Sequence, residues 1–265
     1  LPIEPPPKLL AISAGGRIAL LRWEFAGQQP GSIDRFLPTG LDGDPVIAIE
    51  RLPDGDANDL SLGLLSSDGR FKRLPLSEIL DLSGRATSVV KLKEGITLRA
   101  AMICRNGADL VLISSIGRML RLPVTEESLP VMGRLAQGPM TMRLFPGEVI
   151  CGGLCLDHQQ GETSLLLITA QGRINRIDAA GLRRCHRGDL GEMAVDLGDV
   201  NDPITAISPG TGLIGLITNQ KRHGRIDPSN YPSVEIGAEL SERIDLKQGE
   251  QITDLIPLMQ SEPSS

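Results

Sequence analysis

One hairpin pattern recurs five times along this 265-residue chain, and that recurrence limits the possible folds more than any other feature. Ser61 to Leu74 reads SLGLLSSDGRFKRL, Asp109 to Leu122 DLVLISSIGRMLRL, Ser164 to Ile177 SLLLITAQGRINRI and Leu213 to Ile226 LIGLITNQKRHGRI. Lys8 to Leu21 (KLLAISAGGRIALL) is another copy, with Leu20 where the others carry a second basic residue. The first arginine of each copy falls at 17, 70, 118, 173 and 222, at intervals of 53, 48, 55 and 49.

Each unit reads the same way. A short run of Leu, Ile and Val ending in Ser or Thr is a strand buried on both faces. Gly15-Gly16, Asp68-Gly69 or Gln171-Gly172 then supplies the positive φ of a tight turn. A returning strand follows, with Pro75 or Pro123 marking its far end as an edge. After a polar loop and a short strand comes a second turn: Asp42-Gly43-Asp44, Lys93-Glu94-Gly95, Pro146-Gly147-Glu148 or Gln248-Gly249-Glu250. Apolar residues resume at once, at Val46, Ile96, Val149 and Ile252, and predict a fourth strand. A single four-stranded unit leaves edges and a face open, so the units must stack, and propeller-like stacking solves this. The expected fold is all-β, one repeat domain over 1–265 with blades near 8–55, 56–105, 106–160, 161–210 and 211–260. Helical solenoids are disfavoured because Gly and Pro interrupt every ten residues or so. No apolar run approaches the roughly 20 residues of a membrane span, and the first residues do not read as a secretion signal.

The net charge of -6 conceals segregation. Windows 15–22, 68–73, 116–121, 171–176 and 220–225 hold 12 basic residues and one acid, Asp68, whereas the other 233 residues hold 15 basic and 32 acidic. The basic set is Arg17, Arg22, Arg70, Lys72, Arg73, Arg118, Arg121, Arg173, Arg176, Lys221, Arg222 and Arg225. Two readings stay open. The cations pair with neighbouring blades and cover strand edges with their stems, or equivalent turns align them into a basic band that meets duplex phosphates. Arginine outnumbers lysine 21 to 6, which suits forked phosphate contacts. Nothing reads bases: there are few aromatics, no recognition helix and no zinc finger.

These residues resemble a family. The five-fold strand, G-R-x-x-R/K turn and strand pattern, with its downstream G-E/D-x-I turn, is similar to the C-terminal domain of the A subunit of bacterial type IIA topoisomerases, gyrase and topoisomerase IV. The resemblance covers essentially the whole chain. It implies a β-pinwheel of about five four-stranded blades, whose outer rim binds and bends duplex DNA without sequence specificity through the twelve cations above. It also implies a cytoplasmic location. The partners it implies are the catalytic core that belongs to the same A subunit, with the ATPase B subunit reached through that core. This domain itself would be non-catalytic and need no cofactor. Gyrase carries a Q-R-R-G-G-x-G box on the first blade; the corresponding Ala26 to Ser32 (AGQQPGS) keeps Gln28 and Gly31 without arginines. The loop RCHRGDLG, with Arg183, Arg184 and Arg187, is a possible secondary DNA-binding loop.

Other chemistry is sparse. Cys151 and Cys155 on one strand would lie about 13 Å apart, too far to share a zinc, so Cys104, Cys151, Cys155 and Cys185 read as reduced thiols and no metal is expected. Asp54, Asp56 and Asn58 alternate as in a calcium loop but lack its closing glutamate. Tyr231 matches no strand-passage motif and reads as packing. The alternative function is a propeller-type scaffold that binds protein or small ligands without binding DNA.

Overall fold

The computed structural model describes residues 8–21, 33–41, 43–55, 57–80, 85–157, 161, 163–199 and 201–257. Arg22, the 26–32 stretch, Asp56 and His158 lie outside them. Nineteen strands and a few single 3-10 turns make up the regular structure of the described residues. The chain divides into two compact units, one of Leu1–Asn106 with Val124–Met140 and one of Gly107–Pro123 with Thr141–Ser265.

The first unit holds two sheets. β1 (Leu9–Ser13) and β2 (Arg17–Leu20) form a hairpin, and β3 (Val46–Arg51) pairs with the far side of β1. β4 (Leu60–Ser66), β5 (Phe71–Pro75) and β7 (Leu98–Arg105) repeat the arrangement. Between them β6 (Thr87–Ser88) pairs with β2 rather than with its own hairpin. The second unit has three sheets. They are built on the hairpins β8 (Asp109–Ser114) with β9 (Arg118–Pro123), β11 (Ser164–Thr169) with β12 (Arg173–Asp178), and β15 (Ile214–Thr218) with β16 (His223–Ile226). Their central strands also pair with β10 (Ile150–Leu156), β14 (Ile204–Pro209) and β19 (Ile252–Pro257) respectively.

The outermost strand of a blade comes from the next repeat. β13 (Glu192–Met193), from the fourth repeat, pairs with β9 of the third. β17 (Ser233–Val234) and β18 (Glu242–Arg243), from the fifth, pair with β12 of the fourth. The second sheet receives isolated bridges, Val131 to Arg73 and Met140 to Arg70. This refines the expectation of four strands from each unit's own chain: each repeat supplies three and lends a segment backwards. A returning strand left at an open edge would expose unpaired N–H and C=O groups, and the lent segment covers them. β16 receives no such segment among the described residues, since no later repeat follows it.

Burial explains the apolar runs. Alternate residues of β11 point to opposite faces. Leu165 and Leu167 join Val111, Ile113 and Met119 in one core layer. Leu166 and Ile168 join Ile214, Leu216 and Ile252 in the next. In the first unit, Leu10, Ile12 and Ile18 pack with Leu62, Leu64 and Leu74. Every sheet carries a bulge at the same place, where the register slips by one residue opposite Ser13, Ser66, Ser114, Thr169 or Thr218.

Candidate nucleic-acid interface

Those five hydroxyl residues, all buried, organise the end of each blade. The hydroxyl accepts from the backbone N–H of the first arginine: Arg17 to Ser13 at 3.0 Å, Arg173 to Thr169 at 3.0 Å and Arg222 to Thr218 at 3.2 Å. It donates to a carboxylate of the second turn: Ser13 to Asp44 at 2.7 Å, Thr169 to Asp202 at 2.8 Å and Thr218 to Glu250 at 2.9 Å. The guanidinium closes the cluster, with Nε donating to Asp202 at 2.7 Å from Arg173 and to Glu250 at 2.7 Å from Arg222. Arg118 donates to Glu148 and lies 4.3 Å from the centre of the Phe145 ring. The acid of the G-E/D-x-I turn is therefore the counter-ion of the hairpin arginine.

Electrostatics follows from these contacts. Burial opposes ionisation of Glu148, but hydrogen bonds from Arg118 and from the Phe145 N–H outweigh it and hold the carboxyl below its usual range. Glu250 is lowered chiefly by the Lys247 N–H, with Thr218 and Arg222 assisting. Each buried pair tethers the hairpin to the second turn.

The remaining cations divide by exposure. Lys72 and Arg73 are buried, with 1% and 3% of their surface exposed. Lys72 donates to the carbonyls of Val89 and Arg134. Arg73 donates to Ser61 at 3.1 Å and to the Leu129 carbonyl at 2.9 Å. Arg118 and Arg121 are buried too. Arg118 reaches the carbonyls of Leu190 and Arg143, and Arg121 reaches Asp109 at 2.6 Å and the carbonyls of Ala179 and Leu182. These four hold the following repeat's segment in place, and desolvated donors already bonded to carbonyls are not offered to a phosphate. This corrects the expectation that they line a DNA-facing band: the covering segment, invisible in the hairpin itself, buries them.

Arg70 and Arg173 are partly covered, and Arg176 is partly buried opposite Ser233. Arg17 and Arg222 keep 46% and 41% of their side chains exposed despite their carboxylates. Lys221 and Arg225 are fully on the surface of the last hairpin, where no lent segment arrives. Lys221 alone among described non-glycine residues has a positive φ, 58°, at the position Gly16, Gly117 and Gly172 occupy elsewhere. Arg183, Arg184 and Arg187 are exposed, and Arg184 pairs with Asp109. Hairpin spacing missed Arg134, Arg143 and Arg243, exposed in or beside lent segments; Arg243 stands cross-strand from Arg173. The only sequence signal near them is glycine, as at Gly133, Gly191 and Gly237. Tyr231 packs against the core between the fourth and fifth sheets.

Five repeated sheets with strand lending and a buried arginine–carboxylate cluster define an all-β repeat domain of the propeller class. Comparison with known proteins narrows that class. The family model for the DNA gyrase C-terminal domain, a beta-propeller, matches residues 64–105, 108–149 and 163–209. The chain is 27% identical over 206 residues to the A subunit of DNA topoisomerase 4 from Synechocystis sp., covering 71% of this chain and 22% of that protein. It is 28% identical over 211 residues to the A subunit of DNA gyrase from Granulibacter bethesdensis, covering 76% and 22%. A solved DNA gyrase A C-terminal domain aligns with TM-score 0.78 at 17% identity, covering 94% of this chain and 81% of that one. The C-terminal domain of DNA topoisomerase IV aligns with TM-score 0.77 at 16% identity, covering 94% and 78%. The chain belongs to the family of C-terminal domains of gyrase and topoisomerase IV A subunits. It spans about a fifth of the length of the A subunits it matches.

Proposed function

We propose that this chain binds duplex DNA without sequence preference and bends it, as the accessory domain of a type IIA topoisomerase A subunit. The observation that carries the reading is the location of the exposed cations. Arg17, Lys221, Arg222 and Arg225 stand on hairpins, while Arg134, Arg183, Arg187 and Arg243 stand on lent segments, all away from the core layers. Phosphate neutralisation with counter-ion release supplies most of the affinity such a surface needs. Bending 20–30 bp by 40–90° costs on the order of 1–6 kcal/mol, which several separated cation groups offset better than one patch. The duplex would be presented to the catalytic domains of the longer topoisomerase chain and its ATPase partner.

A titration of labelled duplex across a salt series tests this. Affinity should fall linearly on a log–log scale with a slope near -0.9 per phosphate contacted. Removing Arg225 and Arg243 together should lower the slope by about two. Salt-independent binding, or none, would sink the proposal. One observation favours a protein-binding scaffold instead: Phe145, Val149 and Met193, 47–51% exposed, lie beside Arg118 with exposed Leu190. That reading expects no duplex affinity at any salt.

A further inference from the structure

The five blade ends share one hydrogen-bond scheme, and the second repeat breaks it at a single position. In every second turn one residue donates its N–H to the carbonyl three residues earlier: Asp44 to Leu41, Ile96 to Lys93, Glu148 to Phe145, Asp202 to Asp199 and Glu250 to Lys247. The following residue's carbonyl accepts from the hairpin in each case, at Pro45, Thr97, Val149, Pro203 and Gln251. These bonds align the five turns residue by residue. Four of the five aligned residues are the acids that face the hairpin arginine. The fifth is Ile96.

The missing carboxylate leaves donors behind. Elsewhere that carboxylate accepts a backbone N–H from the hairpin (Gly15 to Asp44, Gln171 to Asp202) or from its own turn (Phe145 to Glu148, Lys247 to Glu250). The counterparts in the second repeat are the N–H groups of Asp68 and Lys93, for which no acceptor appears among the described residues. The Nε of Arg70 is buried and makes no hydrogen bond, although Asp68 lies 3.3 Å away. A small open cleft sits there, lined by Ser66, Asp68, Arg70, Lys91, Lys93 and Gln137. Three cations face it against one carboxylate. Asp68 is itself engaged by the Ser66 hydroxyl, and Glu94 is exposed and outside the lining.

We propose that this cleft is an oxyanion site in which a phosphate group takes the place of the carboxylate that the other repeats carry. Guanidinium, ammonium and free N–H donors converging on one open position match a phosphate's acceptor oxygens. The inference deepens the DNA-binding reading by naming one anchor for the backbone, and the same chemistry also accepts free phosphate.

Two variants and two probes test it. Ile96→Glu restores the carboxylate of the other repeats; Lys91→Gln with Lys93→Gln removes two exposed cations and carries the test should the first fail to fold. Thermal melting checks folding, and Thr253→Glu on an exposed position controls for added charge alone. In duplex titrations Ile96→Glu should lower the salt slope by about one and the lysine pair by about two, with affinity falling several-fold. The control should leave both unchanged. Inorganic pyrophosphate, followed by NMR shifts at the Ser66 and Gln137 amides, probes the cleft without DNA. Duplex binding that all variants leave intact overturns the anchor while leaving the DNA-binding reading standing. Pyrophosphate shifts without any duplex binding keep the oxyanion site and remove the DNA reading; absence of both responses overturns the site.

Discussion

Arg118 and Arg225 occupy similar places in the hairpin motif and have opposite physical fates. Arg118 is 6% exposed in its side chain and bonded to Glu148, two carbonyls and an aromatic face. Truncating it leaves a buried carboxylate without its partner, so Arg118→Ala should cost about 3–5 kcal/mol in urea unfolding. Arg225 is exposed, and Arg225→Ala should change stability by less than about 0.5 kcal/mol while weakening duplex binding. A pair of unfolding curves separates framework from surface directly. The residue pattern alone puts both arginines in one set, because it records chemical type and spacing but not which side chain the next repeat will cover. The acid partners are closer to legible: Asp44, Glu148 and Glu250 stand in a turn that the repeat already marks.

Strand lending is the element that sets these fates. β13 approaches β9 so closely that Gly191, at φ 74°, has no room for a side chain against the Met119 carbonyl. Gly138, at φ 79°, approaches Phe71 in the same way, with an added Cβ meeting the carbonyl at 2.6 Å. Gly191→Ala should therefore displace the lent strand and destabilise the second unit by about 2–3 kcal/mol. Hydrogen exchange should show faster exchange at β9 amides, with β15 unaffected; uniform protection would refute the coupling. The hairpins and second turns were readable because Gly and alternating apolar residues mark them locally. The lent strands were not, because two-residue strands such as Thr87–Ser88 carry no periodicity and their partners lie in another repeat.

At the scale of the whole molecule, pH balances two sets of buried acids. Glu50 on β3 is pushed up to about 7 by burial, only partly offset by a backbone hydrogen bond at Ile103. Its fold-stabilising protonated form is complete below about pH 4.5 and lost as pH rises through 7, while Glu148 and Glu250 stabilise above their ordinary range and cease to as pH falls. Stability should peak near pH 5 and drop by on the order of 2–3 kcal/mol by pH 8; Glu50→Gln should flatten that drop in a series of unfolding measurements. An equal drop in the variant would show that another group titrates. The all-β class, the five repeats, their turns and the segregation of charge were determined by the order of amino acids, since backbone preferences and apolar alternation act over a few neighbours. Which cations meet solvent, which acids neutralise them and which repeat completes each sheet were decided only in three dimensions, where burial depends on segments that lie some 20–70 residues apart along the chain.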